Sequence, residues 1–216
     1  MRDVVRDTRA FTQAQAQLRR MAPAPTTEEA TRNAAGRRGS APGSEGRRGN
    51  PSGTIESPSP SYTSYTEGDL FRVSVPSNWR ELPGSNAVTF APDGAYGNTG
   101  EQGSSFTHGM EIGVARNETH DLRTSTDELI SSFARSNPNL SRPSSHVRTT
   151  IGGRQGLRTV LSNGSNATGQ PERIAVFTML LSDGGLFYAL GVAPSDRFPE
   201  FDGAFRRVIG SIEIMQ

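Results

Sequence analysis

Large apolar side chains are nearly missing from the front of the chain and frequent in the rest. Between Ala22 and Ser61 the only one is Ile55, whereas beyond Gly68 stand Trp79, nine phenylalanines and many Val, Ile and Leu residues. The pattern breaks near Tyr62–Gly68. It predicts an arm over 22–67 that cannot bury enough surface to offset its ordering entropy. One globular domain over 68–216 follows. Ahead of the arm, Val4, Phe11 and Leu18 recur every seventh residue and mark one face of a short amphipathic helix within 1–21. Such a helix is marginal alone. It reads either as the last helix of a larger body or as a fraying end.

Within the domain the period alternates between two and three to four. Phe71, Val73 and Val75 alternate with polar residues, as do Met110, Ile112 and Val114 in Gly109–Ala115; both are strands, and Ala87–Ala91 is another. The period then lengthens. Leu129, Ile130 and Phe133 form a helical face, with Ser125 and Glu128 as a capping-box pair and Asn137-Pro138 as the stop. Four strands follow. His146–Ile151 and Gln155–Ser162 flank Gly152-Gly153, and Arg173–Leu181 and Leu186–Val192 flank Ser182–Gly185. A last helix over Phe198–Ile209 buries Phe201, Phe205, Val208 and Ile209, and Ile212 and Ile214 suggest a short closing strand. The predicted fold class is α+β: an antiparallel sheet of six to seven strands with two helices packed on it.

Composition narrows the function classes. The chain has formal charge +1, with ten arginines against six acids in 1–66 and thirteen against sixteen in 67–216. That split is too mild to make nucleic acid the partner, and the Arg37-Arg38 and Arg47-Arg48 pairs lack interleaved aromatic platforms. Cysteine is absent, which removes disulfides and thiolate chemistry. No signal-peptide core and no membrane-length apolar run occurs, so no direct membrane insertion and no export signal is expected within this sequence.

Candidate chemistry is sparse. His108, His120 and His146 match no zinc spacing, even with Glu118 and Asp121 nearby, so no metal or other cofactor is expected. The Gly152–Gly156 run lies between strands and does not open a helix, so it is no phosphate loop. The best binding feature is the sixteen-residue stretch Pro92–Thr107 with its aromatics, read as a long loop. Its candidate binding residues are Tyr96, Phe106 and the adjoining His108; Phe106 is an anchor or a core residue. Trp79 is a further candidate, either a core residue or a ligand platform. Catalytic residues: none.

The run Phe71-Arg72-Val73-Ser74-Val75-Pro76-Ser77-Asn78-Trp79 is similar to the opening strand and Pro-x-x-Trp turn of PsbP-like domains. That family holds the photosystem extrinsic protein and the Ran-binding Mog protein. The resemblance covers about 68–215 and implies an α/β/α sandwich. A second resemblance concerns Arg9-Ala10-Phe11, Leu18-Arg19-Arg20-Met21 and Ala24-Pro25-Thr26-Thr27-Glu28. These look like the exit from an HtpX/CAAX-protease-like bacterial zinc metallopeptidase domain. In that family a His-Glu-x-x-His helix carries the zinc; no His-Glu pair occurs here. Zinc and catalysis, on this resemblance, belong to an upstream domain outside the sequence.

The resemblances together imply a non-catalytic accessory or protein-recognition domain tied to envelope proteolysis, with a protein partner or substrate. They place it in the periplasm or cell envelope; otherwise the cytoplasm is expected. The alternative is a free-standing binding or chaperone-like protein. A hydrolase with a scattered site is a third reading.

Overall fold

The computed structural model describes residues 54–83, 87–98, 104–117, 119–142 and 144–215. The expected helix within 1–21 and the arm up to residue 53 lie outside the described residues. Twelve strands and two helices are described: β1 (Tyr62–Glu67), β2 (Phe71–Pro76), β3 (Trp79–Pro83), β4 (Ala87–Pro92), β5 (Tyr96–Asn98), β6 (Ser104–Phe106), β7 (Gly109–Ala115), α1 (Leu122–Ser136), β8 (Val147–Ile151), β9 (Arg154–Gly164), β10 (Pro171–Leu180), β11 (Leu186–Pro194), α2 (Phe198–Gly210) and β12 (Glu213–Ile214).

Seven strands form one antiparallel sheet in the order β3-β4-β7-β11-β10-β9-β8. A three-stranded sheet, β1-β2-β12, and the β5-β6 hairpin stand beside it. The register explains how one strand serves two cores. On β10, Ala175, Phe177 and Met179 face the larger core with Ala189 and Phe187 of β11 and Met110 and Ile112 of β7. Val176 points the other way, into a cluster with Ile130, Leu161, Ile174 and Leu190 beneath α1. A strand buried on both faces reads as a continuous apolar run, and Ile174–Leu181 is one, interrupted only by Thr178.

The helix α2 and the small sheet cover the larger core together. Phe201, Phe205, Val208 and Ile209 of α2 are buried at the three-and-four spacing expected of one helical face. Gly191 lets α2 come close: a Cβ there would sit 2.5 Å from the Phe205 ring. Arg158 on β9 pairs with Asp202 on α2 at 2.6 Å while its guanidinium lies 5.8 Å from the Phe177 ring centroid.

Three sequence expectations change. The domain starts earlier than Gly68. Residues 54–67, assigned to the arm, hold Ile55 at 7% exposure and the whole of β1, whose Tyr65 packs edge-on against Phe90. The second change is at α1, which begins three residues before Ser125. Its cap is Asp121, which accepts from the Thr124 amide at 2.7 Å. Ser125 is instead buried, with its Oγ 2.8 Å from both the Asp121 carbonyl and Asn117 Oδ1. A serine whose hydroxyl bonds four residues back is a helix-interior residue. Third, the stretch Pro92–Thr107 is not all loop. It contains the β5-β6 hairpin, in register Tyr96 to Phe106.

Candidate functional site

Antiparallel register brings the start of β7, the start of β10 and the end of β11 to one end of the large sheet: Val192 pairs with Gly109 and Pro194 with Glu172. A cleft of about 460 Å³ opens there. Thr107 and His108 line it ahead of β7, Pro171 and Glu172 from β10, and Pro194, Ser195 and Asp196 from β11 and the turn after it. Ser165, Thr168 and Gln170 in the β9-β10 turn and Ile55 ahead of β1 complete the wall.

His108 is 6% exposed and lies 5.1 Å, centroid to centroid, from the Phe201 ring. Its hydrogen bonding follows from its neighbour. The Thr107 hydroxyl donates to the Ala95 carbonyl at 3.3 Å, so it accepts from His108 Nδ1–H at 3.0 Å. That leaves Nε2 as the lone-pair nitrogen, buried and without a partner. Burial, reinforced by the Arg197 guanidinium, pulls the imidazole down to about 4, so it is neutral at physiological pH.

Glu172 is the second buried group. It is 8% exposed and accepts from Asn163 Nδ2 at 2.8 Å, with Ser165 as a further side-chain donor. Burial pushes its carboxyl above the usual range. It enters no ion pair among the described residues, and Asn163 Oδ1 beside it is buried without a donor. Arg197 stands near but is engaged: it donates to the Ile55 carbonyl at 2.7 Å, pairs with Glu200 at 3.1 Å and lies over Phe201. It ties the segment ahead of β1 to the start of α2.

The four sequence candidates form a chain of neighbours rather than one surface. Tyr96, 39% exposed, pairs with half-buried Phe106 across the hairpin. The hairpin base closes where the Thr107 amide bonds the Ala95 carbonyl, and His108 follows immediately. Trp79 is buried at 6% and stacks on the far neighbour of His108, Phe201, with centroids 6.5 Å apart. Trp79 is therefore a core residue and not a ligand platform. Glu172, Asp196 and Ile55 are new. Glu172 shares the inward period-two register of Ile174 and Val176, and an acid in that register is a readable signal of a special site. Asp196 carries no such sign, and Ile55 stands out only as the one large apolar residue between Ala22 and Ser61.

A second polar cluster lies under α1. Asp127 Oδ1 is 3.1 Å from His146 Nε2, and His146 Nδ1 is 2.6 Å from Thr159 Oγ1, with Arg142 also on Asp127. The order carboxylate, imidazole, hydroxyl resembles a nucleophile relay. Thr159 is 1% exposed, however, and the cluster serves to tie α1 to β9. His120 is exposed and stands against the β10-β11 turn, its ring 3.5 Å from where a Cβ at Gly184 would lie. No three His, Asp or Glu side chains gather as metal ligands among the described residues.

No family profile and no curated protein matches this chain. Solved structures do match. The Saccharomyces cerevisiae Ran-binding protein Mog1 aligns over 72% of this chain and 96% of its own, at 9% identity and a TM-score of 0.52. The domain has the Mog1/PsbP-like fold. Cyanobacterial PsbP from Synechocystis aligns over 75% of this chain and 96% of its own, at 12% identity and a TM-score of 0.47. A Bacteroides thetaiotaomicron protein aligns over 70% of this chain at 13% identity and a TM-score of 0.46; the chain spans 47% of that protein's length. At 9% identity what is shared is the path of the backbone, so function has to be argued from the site.

Proposed function

We propose that this chain is a non-catalytic protein-recognition module whose partner docks over the β5-β6 hairpin and the cleft beside it. The observation that carries the reading is the continuity of an exposed aromatic, Tyr96, with a cleft whose wall begins at Thr107, the residue closing the same hairpin. Tyrosine supplies large contact area with little rotamer entropy, and a neighbouring pocket supplies a place for an anchor. The polar groups point to binding and away from chemistry. His108 is a donor to Thr107 and not its base, and Glu172 is bonded by Asn163 and Ser165. Mog1, with the same fold, is a Ran-binding protein, which supports a protein partner by analogy.

A finer reading is that the module serves a zinc metallopeptidase of the bacterial envelope. Its support is the resemblance of residues 9–28 to the exit of such a domain. An in-frame His-Glu-x-x-His segment encoded upstream would support it; an unrelated upstream frame would favour a free-standing binding protein. No helix among the described residues is long and apolar enough to cross a membrane.

Photo-crosslinking tests the main reading. A benzophenone amino acid replaces Tyr96 in one variant and Val147, exposed on the far edge strand β8, in another. In extract of the source cells, a discrete adduct from position 96 and none from 147 is expected. Equal labelling from both, or none from either, rejects the surface.

A further inference from the structure

We propose that the end cleft receives a basic side chain, arginine or lysine, presented by the partner protein. The proposal rests on the protein-recognition reading and names what the cleft takes.

Glu172 is a carboxylate buried among neutral groups with no counter-charge among the described residues. Burying an acid without a cation is costly, and a well-placed incoming cation offsets part of that cost. Two acceptors at the same end lack donors: the Nε2 lone pair of His108 and Oδ1 of Asn163. Asp196 stands exposed at the mouth and adds negative potential. No arginine lines the cleft, and Arg197 beside it is already paired, so the wall offers no free positive charge to an anion.

Shape agrees with charge. Ile55, Pro171 and Pro194 give the cleft apolar walls, and the prolines bring no amide donors. An aliphatic stem capped by a multiple N–H donor fits such a lining, the stem against the apolar wall and the charge against the carboxylate. The volume, about 460 Å³, falls in the range of roughly 300–1,000 Å³ typical of ligand pockets. A bare metal ion is the poorer fit, since no ligand cluster is present among the described residues.

The test is an NMR titration of the full chain with three blocked amino acids: N-acetyl-arginine methylamide, the lysine analogue, and the neutral citrulline analogue. Arginine should saturate, shifting the amides of residues 107–108 and 172. Citrulline should bind at least about tenfold more weakly, ~1.4 kcal/mol. Glu172→Gln should weaken the arginine probe by at least about tenfold, and Asp196→Asn, at the solvent-exposed mouth, by about threefold. Equal affinity for citrulline and arginine overturns the proposal, as does full affinity in Glu172→Gln. Should Glu172→Gln fail to fold by circular dichroism, the citrulline comparison and Asp196→Asn decide. The crosslink from position 96 separates the two readings. An intact crosslink without arginine selectivity removes the cation site and leaves the docking surface standing. Arginine selectivity without a crosslink overturns the partner protein as the source of the cation.

Discussion

At the scale of residues, His108 and Tyr96 make opposite predictions. The folded chain holds the His108 imidazole at about 4, against about 6.5 in an unfolded chain. Below that unfolded value the unfolded state binds a proton that the folded state refuses. Stability is therefore intact above pH ~6.5 and falls as the pH drops toward 4, by on the order of 3 kcal/mol at the lower end. Glu172, raised by burial, acts with the opposite sign, losing stability as pH rises through its folded value. Subtracting the urea-unfolding profile of His108→Gln from that of the parent isolates the histidine contribution. A difference that is flat from pH 7 to 4 contradicts the assignment. Tyr96→Ala, in contrast, should change stability by no more than ~0.5 kcal/mol, because an exposed residue gives little to the core. It should still reduce partner capture. Phe106→Ala, half-buried on the facing strand, should lower both.

At the scale of elements, the β8-β9 turn shows how a local conformation is locked to a distant segment. Gly152 and Gly153 both have positive φ, 54° and 76°, as a two-residue hairpin requires. Around Gly153 there is open space, so Gly153→Ala should cost only the left-handed conformation, about 1–2 kcal/mol. At Gly152 a Cβ would lie 2.5 Å from the Ile212 carbonyl oxygen, just ahead of β12. Gly152→Ala must pay that same cost and also push the backbone away, so it should be the more damaging by at least about 1 kcal/mol. Thermal melts of the two variants check the ranking. Equal losses would mean that the contact between the turn and the closing segment is loose.

At the scale of the whole domain, Trp79 reports on the join between layers. It stacks on Phe201, lies 6.2 Å from the Phe205 ring, and belongs to the core shared by α2, the small sheet and the large sheet. If the layers unfold as one unit, tryptophan fluorescence and far-ultraviolet circular dichroism must give coincident urea transitions. A lower midpoint for the fluorescence would show the α2 layer leaving first. Trp79→Ala should cost about 3–5 kcal/mol. Trp79→Phe should cost under ~1.5 kcal/mol, since it keeps most of the ring and removes an indole N–H that is buried without a partner.

Strand and helix identity was legible wherever one face is apolar at a fixed period. Met110, Ile112 and Val114 revealed β7, and Phe201, Phe205, Val208 and Ile209 revealed α2, because burial on one face leaves its period in the sequence. The glycine pair at 152–153 placed a hairpin for a conformational reason equally local. β1 escaped because Tyr62 and Tyr65 stand three apart among Ser and Thr, off a period of two; what makes it a strand is its pairing with β2. The cap of α1 was misplaced because several Ser, Thr and Asp residues compete there, and only packing buries Ser125 and leaves Asp121 at the end. For the candidate site, the sequence offered Tyr96, Phe106 and His108 through one aromatic-bearing stretch, and of these His108 lines the cleft. Tertiary structure alone brought Glu172, Asp196 and Ile55 to His108: antiparallel register aligns strand ends that lie far apart along the chain, the Arg197 bond to its carbonyl holds Ile55, and no local pattern encodes that meeting.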